Sequence, residues 1–179
     1  MVLADGAYAE GVFRCAAKLV QADPPVQEVG TRGAVVIFAR FNDELTGQNS
    51  APSWAQGLFD LERPGSISHF YDEMSFGRLR LRGEVAPKRY AARDPARDYL
   101  AAEPGAAGDF ARFNREILAQ ADRDIDFARY DDDGPDGVPN SGDDDGLVDG
   151  VFIVVASTPR NFLLGAATGI ASLGVNYTT

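Results

Sequence analysis

The chain has 179 residues but contains only one histidine and one cysteine. A lone cysteine, Cys15, excludes an intrachain disulfide and any zinc site built on thiolates. A lone histidine, His69, excludes a His-Glu-x-x-His zinc site, which needs two imidazoles on one helix face. It is also the only base of its kind available to a serine nucleophile, and no Gly-x-Ser-x-Gly occurs. Long apolar runs are lacking too. The longest, 162–175, is interrupted by three glycines and is too short to span a bilayer. The opening residues Met1-Val-Leu-Ala-Asp-Gly lack the basic start and unbroken apolar stretch of a signal peptide. Positive charge is scarce, with 17 Lys and Arg against 27 Asp and Glu, a net charge of −10. No basic patch offsets it, which argues against nucleic acid and anionic membrane surfaces as partners.

What is present begins with a core. Hydrophobic residues make up 45% of the chain, with 11 Phe and 6 Tyr, enough to pack one domain without disulfides. The acidity is local. Eight of the acids lie between Asp131 and Asp149, a stretch with no Lys or Arg, and without them the net charge is −10 + 8 = −2.

The apolar patterns suggest a helix over 5–20, with Tyr8, Val12, Ala16 and Leu19 on one face, and a linker at Ala22-Asp-Pro-Pro. Ala34 to Ala39 reads as a buried strand. The polar stretch 42–64 reads as a surface excursion. Ser66 is placed to cap a helix carrying Ile67, Phe70, Tyr71 and Met74, which Gly77 ends. Arg78-Leu-Arg-Leu-Arg then alternates as a half-buried strand running towards Val85, its three arginines forming a solvated outer face. Residues 86–108 read as a loop with Tyr90 and Tyr99 as packing anchors. Asp109 caps the clearest helix, whose apolar stripe is Phe110, Phe113, Ile117, Leu118, Ala121 and Ile125. A second buried strand starts at Val151. The order implies an α+β domain, a mixed β-sheet with packed helices.

The acidic stretch carries the chemistry. Calcium takes six to eight oxygen ligands in a flexible shell, and aspartates at alternate positions can aim carboxylates at one centre. The candidate ligands are Asp131, Asp133, Asp136, Asp143, Asp145 and Asp149, with Gly134, Gly137, Gly142 and Gly146 permitting tight turns. The pattern is not an EF-hand: Pro135 stands at its fifth position and Gly142 at its twelfth. The bland alternative is a solvated acidic turn. A glycosidase-like pair of carboxylates is disfavoured because the acids cluster in one glycine-rich loop.

Three segments resemble the M6 peptidases, the immune-inhibitor-A-like family of secreted bacterial zinc metallopeptidases. They are Gly30-Thr-Arg-Gly-Ala-Val-Val-Ile-Phe-Ala-Arg-Phe-Asn-Asp, Pro64 through Gly83 with its Ser-Phe-Gly turn, and Ala121 through Gly134 leading into Gly146-Leu-Val-Asp-Gly-Val-Phe-Ile-Val. The resemblance implies a secreted zinc metalloendopeptidase acting on protein or peptide substrates, with a structural calcium loop at 131–149. It implies the upper subdomain of a zincin-like fold over 30–179, with 1–29 as a helical N-terminal segment and linker, a possible propeptide remnant. The chain departs from the family where Ala156-Ser-Thr-Pro-Arg-Asn-Phe replaces a His-Ala-Gly segment, and in having no His-Glu-x-x-His. The catalytic zinc and its glutamate are therefore expected on residues beyond this sequence, and the chain alone is expected to be inactive. The competing expectation is a non-catalytic, calcium-stabilised extracellular module for adhesion or binding. Oligomeric state is left open.

Overall fold

The computed structural model describes residues 6–9, 12–15, 30–45 and 47–178, the first two stretches by backbone alone. Strands β1 (Gly6–Ala9) and β2 (Val12–Cys15) pair antiparallel, Gly6 opposite Cys15. This corrects the helix expected over 5–20. Tyr8, Val12 and Phe13 are β-branched or aromatic, the residue types that favour paired strands. The rest of that expected helix, and the linker after it, lie outside the described residues.

The main sheet is built from β3 (Gly30–Arg40), β4 (Leu79–Ala91) and β5 (Gly150–Val155), in the order β4-β3-β5. All three strands run parallel, not mixed as expected. The cause is connectivity. Helix α1 (Ile67–Met74) lies between β3 and β4, and α2 (Phe110–Ala121) lies between β4 and β5, so each connection is a helical crossover. The result is a domain of helices and strands around a parallel sheet, compatible with the α+β class expected.

Burial on both faces explains why the central strand reads as an unbroken apolar run. On one face Val35, Ile37, Ala39 and Phe41 meet Phe113, Ile117, Leu118 and Ala121 of α2. On the other, Val36 and Phe38 meet Ala55 of a 3-10 turn (Ser53–Gly57) and Ile67 of α1. The excursion at 42–64 is thus partly packed, with Trp54 set edge-on to Phe38 at 5.5 Å. At the end of β3, Phe41, Tyr99, Phe113 and Phe162 form an aromatic cluster with centroids 4.9–5.6 Å apart.

Local signals place the elements. Ser66 caps α1 by accepting from the His69 amide at 3.0 Å, and Asp109 caps α2 by accepting from the Arg112 amide at 3.2 Å. α1 ends where the Gly77 amide donates to Asp72 O at 2.8 Å and the Phe76 amide to Glu73 O at 3.1 Å, the paired bonds of a Schellman motif. The left-handed position in that motif belongs to Phe76, at φ 58°. β4 runs on to Ala91, correcting the loop expected from residue 86. Pro87 reads as a break, but the ladder slips there and resumes at Phe38 opposite Arg89. The arginine face is not simply solvated. Arg80 pairs with Asp72 at 2.9 Å, and Arg82 pairs with Asp132 of the acidic loop.

Gly33 illustrates a close approach. A Cβ there would sit 2.7 Å from the Tyr130 Cα, where the chain crosses β3 on its way into the acidic loop. Gly33→Ala is therefore expected to destabilise the chain by ~1–3 kcal/mol through overpacking. A shift in the urea midpoint measures it.

Glu116 of α2 is a polar anchor. It accepts from the Tyr99 hydroxyl at 2.7 Å, the Arg93 amide at 3.0 Å and Arg112 Nε at 3.1 Å. Burial pushes its pKa up, but those donors and the Arg112 charge outweigh burial and hold it below the usual carboxylate value. A lowered folded pKa adds stability that is present above the unfolded value of ~4.3 and is lost as pH falls through the folded one. Glu116→Gln is expected to flatten the acid limb of a stability–pH profile measured from pH ~6 to ~3.

Candidate metal centre

The acidic loop is stapled to the sheet at both ends. A 3-10 turn (Phe127–Tyr130) delivers the chain across Gly33, and the Asp149 amide donates to Tyr130 O at 2.8 Å. One carboxylate oxygen of Asp149 accepts from the Gly33 amide at 2.8 Å and the Asp132 amide at 3.2 Å. The Asn140 amide donates to Asp131 O at 2.7 Å, and Arg32 donates to Asp132 O at 3.3 Å. Gly137 and Gly146 take φ of 67° and 80°, so these two glycines supply the turns. Gly134 serves differently: a Cβ there would lie 2.7 Å from Asp144 Oδ1.

Within this frame Asp131, Asp133 and Asp144 each offer a carboxylate oxygen, all within 4.8 Å of one another. Asp131 is 3% exposed, and its Oδ1 has no hydrogen-bond partner among the described residues. Burial pushes the Asp131 carboxyl pKa up, and the charges of Asp144, Asp145 and Asp133 push it further, against one opposing hydrogen bond from the Gly146 amide. A buried carboxylate that has one unpartnered oxygen and stands in a cluster with two more carboxylates fits a hard cation, whose charge would offset both penalties. The other two carboxylates are held in place: Asp133 accepts from the Asp145 amide at 3.2 Å, and Asp144 from the Gly134 and Ser141 amides at 2.7 and 2.6 Å.

Of the six ligand candidates read from sequence, Asp131 and Asp133 come together, and Asp144 joins them in place of its neighbours. Asp136 and Asp145 instead accept from the amides two residues on, Val138 and Leu147, both at 2.8 Å. Asp143 accepts from the Ser141 hydroxyl and, at 3.2 Å, the Asp136 amide, and these bonds hold its pKa below the usual range. Asp149 is the staple described above. Its burial pushes its pKa up, partly offset by the Gly33 and Asp132 amides and the Arg32 charge. Asp136-Gly-Val and Asp145-Gly-Leu thus form Asx turns, although Asp133 and Asp149 are followed by glycine as well. Nothing in the spacing singles out Asp144, because the backbone curls at Asn140 (φ 54°) and abandons the alternation of an extended chain.

His69 is half-buried on α1, and among the described residues it joins no cluster of metal-ligating side chains. These residues do not fit a catalytic zinc. Among the described residues, no helix is long and apolar enough to cross a membrane. The class defined here is a domain with a parallel three-stranded sheet, packed helices and a stapled acidic loop. No protein-family model matches the chain, and no curated protein sequence matches it.

Proposed function

We propose that the chain is a calcium-braced part of a secreted, M6-like zinc metalloendopeptidase domain, its acidic loop serving as scaffold and not as catalyst. The observation that carries the calcium reading is the buried, unpartnered Asp131 oxygen beside Asp133 and Asp144. The peptidase reading rests on the three resembling segments. They correspond to β3, to α1 through β4, and to the approach into the loop and β5, all around one sheet. In that reading the zinc and its general base belong to residues outside this sequence, since the single histidine supplies no such site.

The same lone histidine favours a second reading, a calcium-stabilised extracellular module for adhesion or binding. Extending the coding sequence beyond Thr179 separates the two. A frame entering His-Glu-x-x-His supports the peptidase, and a stop codon supports the module. In either case the chain as it stands is expected to show no zinc-dependent cleavage of a casein substrate. Activity removed by a zinc chelator and restored by zinc contradicts the assignment. The calcium reading is tested separately, by titrating the chain with calcium.

A further inference from the structure

Two arginines stand on neighbouring strands at the carboxyl end of the sheet, the end where open parallel sheets take their ligands. Arg40 is the last residue of β3, and Arg89 lies two residues before the end of β4. Past the slip in the ladder, Phe38 pairs with Arg89 and Arg40 with Ala91, so both arginines share the face that carries Phe38. Strands ~4.8 Å apart and an offset of two residues put their Cα atoms ~8 Å apart, within reach of two long side chains.

Neither guanidinium has an acid. Among the described residues Arg40 and Arg89 join no ion pair, and the Nε of each is buried without a hydrogen-bond partner. Arg40 turns Nη1 to the carbonyls of Phe41, Asn42 and Glu44, at 3.2, 3.4 and 2.9 Å. Those bonds anchor the group and leave the fork of Nε and Nη2 as its open edge. Arg89 is fixed by its backbone amide, which donates to Asn49 O at 2.7 Å, while its side chain donates no hydrogen bond among the described residues. The acids that flank these strand ends are engaged elsewhere. Asp43 accepts from the Ala96 amide at 3.1 Å, Glu44 from the Phe41 amide at 3.0 Å and the Ser157 hydroxyl, and Asp94 pairs with Arg112. Both arginines are half-buried, so the pair is not sealed inside the core. Two unpaired like charges repel, and each keeps a buried donor without an acceptor. One dianion between them offsets both costs. A tetrahedral dianion matches two guanidiniums in charge and offers oxygens to both forks, whereas a single carboxylate fills one.

We infer that Arg40 and Arg89 form a binding site for one phosphate group, free or carried as a phosphomonoester. This inference rests on neither the peptidase nor the calcium reading. Two guanidiniums hold a single phosphate and not a polyanion, which the net charge of −10 repels. The only tryptophan, Trp54, is 53% exposed and lies edge-on to Phe38 on the same face, so its fluorescence reports on the site.

The test is a titration of the chain with inorganic phosphate in calcium-free neutral buffer, ionic strength held constant with sodium chloride, followed by Trp54 fluorescence and by calorimetry. The expected result is saturable binding with Kd below ~10 mM, weakened ~tenfold or more by Arg89→Gln. Arg89→Lys restores it only in part, because it keeps the charge and loses the fork. The Arg89 side chain holds no partner, so Arg89→Gln is expected to melt as the parent does. Arg115→Gln, an exposed position on α2 across the sheet, leaves binding unchanged. Phenyl phosphate separates the two sources: tighter binding than inorganic phosphate assigns a phosphomonoester, and equal or weaker binding assigns free phosphate. No saturable response to either compound overturns the inference. So does acetate binding as tightly as phosphate, or an Arg89→Gln chain that binds phosphate as the parent does.

Discussion

Asp131→Asn is expected to act with opposite signs in the absence and presence of calcium. In chelator, the variant melts at or above the temperature of the parent chain, because a buried carboxylate facing two others is replaced by a neutral amide. With calcium the order reverses. At tenfold excess over Kd, the ion stabilises the parent chain by ~1.4 kcal/mol, which for a chain of this size shifts the melting temperature by ~3–6 °C. The variant loses most of that shift. A solvated acidic turn predicts neither effect, since removing one exposed charge of eight changes little. Asp136→Asn provides the contrast: its carboxylate accepts from the Val138 amide and lies outside the cluster, so the calcium response survives. Thermal melts of the three chains with EDTA and with calcium decide the matter.

Phe113→Ala is expected to cost ~3–5 kcal/mol, because it empties the middle of the aromatic cluster. Phe113 is fully buried, with ring centroids of Phe41, Tyr99 and Phe162 at 4.9, 5.6 and 5.2 Å. Those partners come from the end of β3, from the 3-10 turn Ala96–Tyr99 and from the chain after β5. One truncation therefore loosens three connections at once. Phe70→Ala is the control of equal size change, since that ring is 54% exposed on α1 and outside both cores. Denaturant unfolding is expected to move the midpoint strongly for Phe113→Ala and little for Phe70→Ala.

The contrast between those two phenylalanines also marks what the sequence made legible. Phe113 lies on a stripe repeating at helical spacing behind a clear cap at Asp109, and the structure buries that stripe. Val35, Val36, Ile37 and Phe38 form an apolar run that signals two covered faces, and both faces are covered. Periodicity misled over 5–20, where Tyr8 and Val12 fit a helical face while the same residues fit paired strands. Strand direction was also missed. It follows from the helical crossovers between successive strands, a signal that the strand–helix–strand order carried and the expectation of a mixed sheet did not use.

At the candidate metal centre, composition located the loop but not which carboxylates converge. Eight acids with glycines between two buried elements gave the place, and alternation gave Asp131 and Asp133. Asp144 was out of reach because the loop reverses direction at positive φ, bringing it back over Gly134. The Arg82–Asp132 pair was equally hidden, a contact across 50 residues that only the parallel register of β3 and β4 creates.

Calcium titration of the apo chain by calorimetry tests the central claim most directly. The expected result is saturable binding with Kd at or below ~10⁻³ M, the range of extracellular calcium modules, abolished by Asp131→Ala and retained by Asp136→Ala. The contradicting result is no saturable heat in the parent chain, with melting curves that superimpose in calcium and in EDTA.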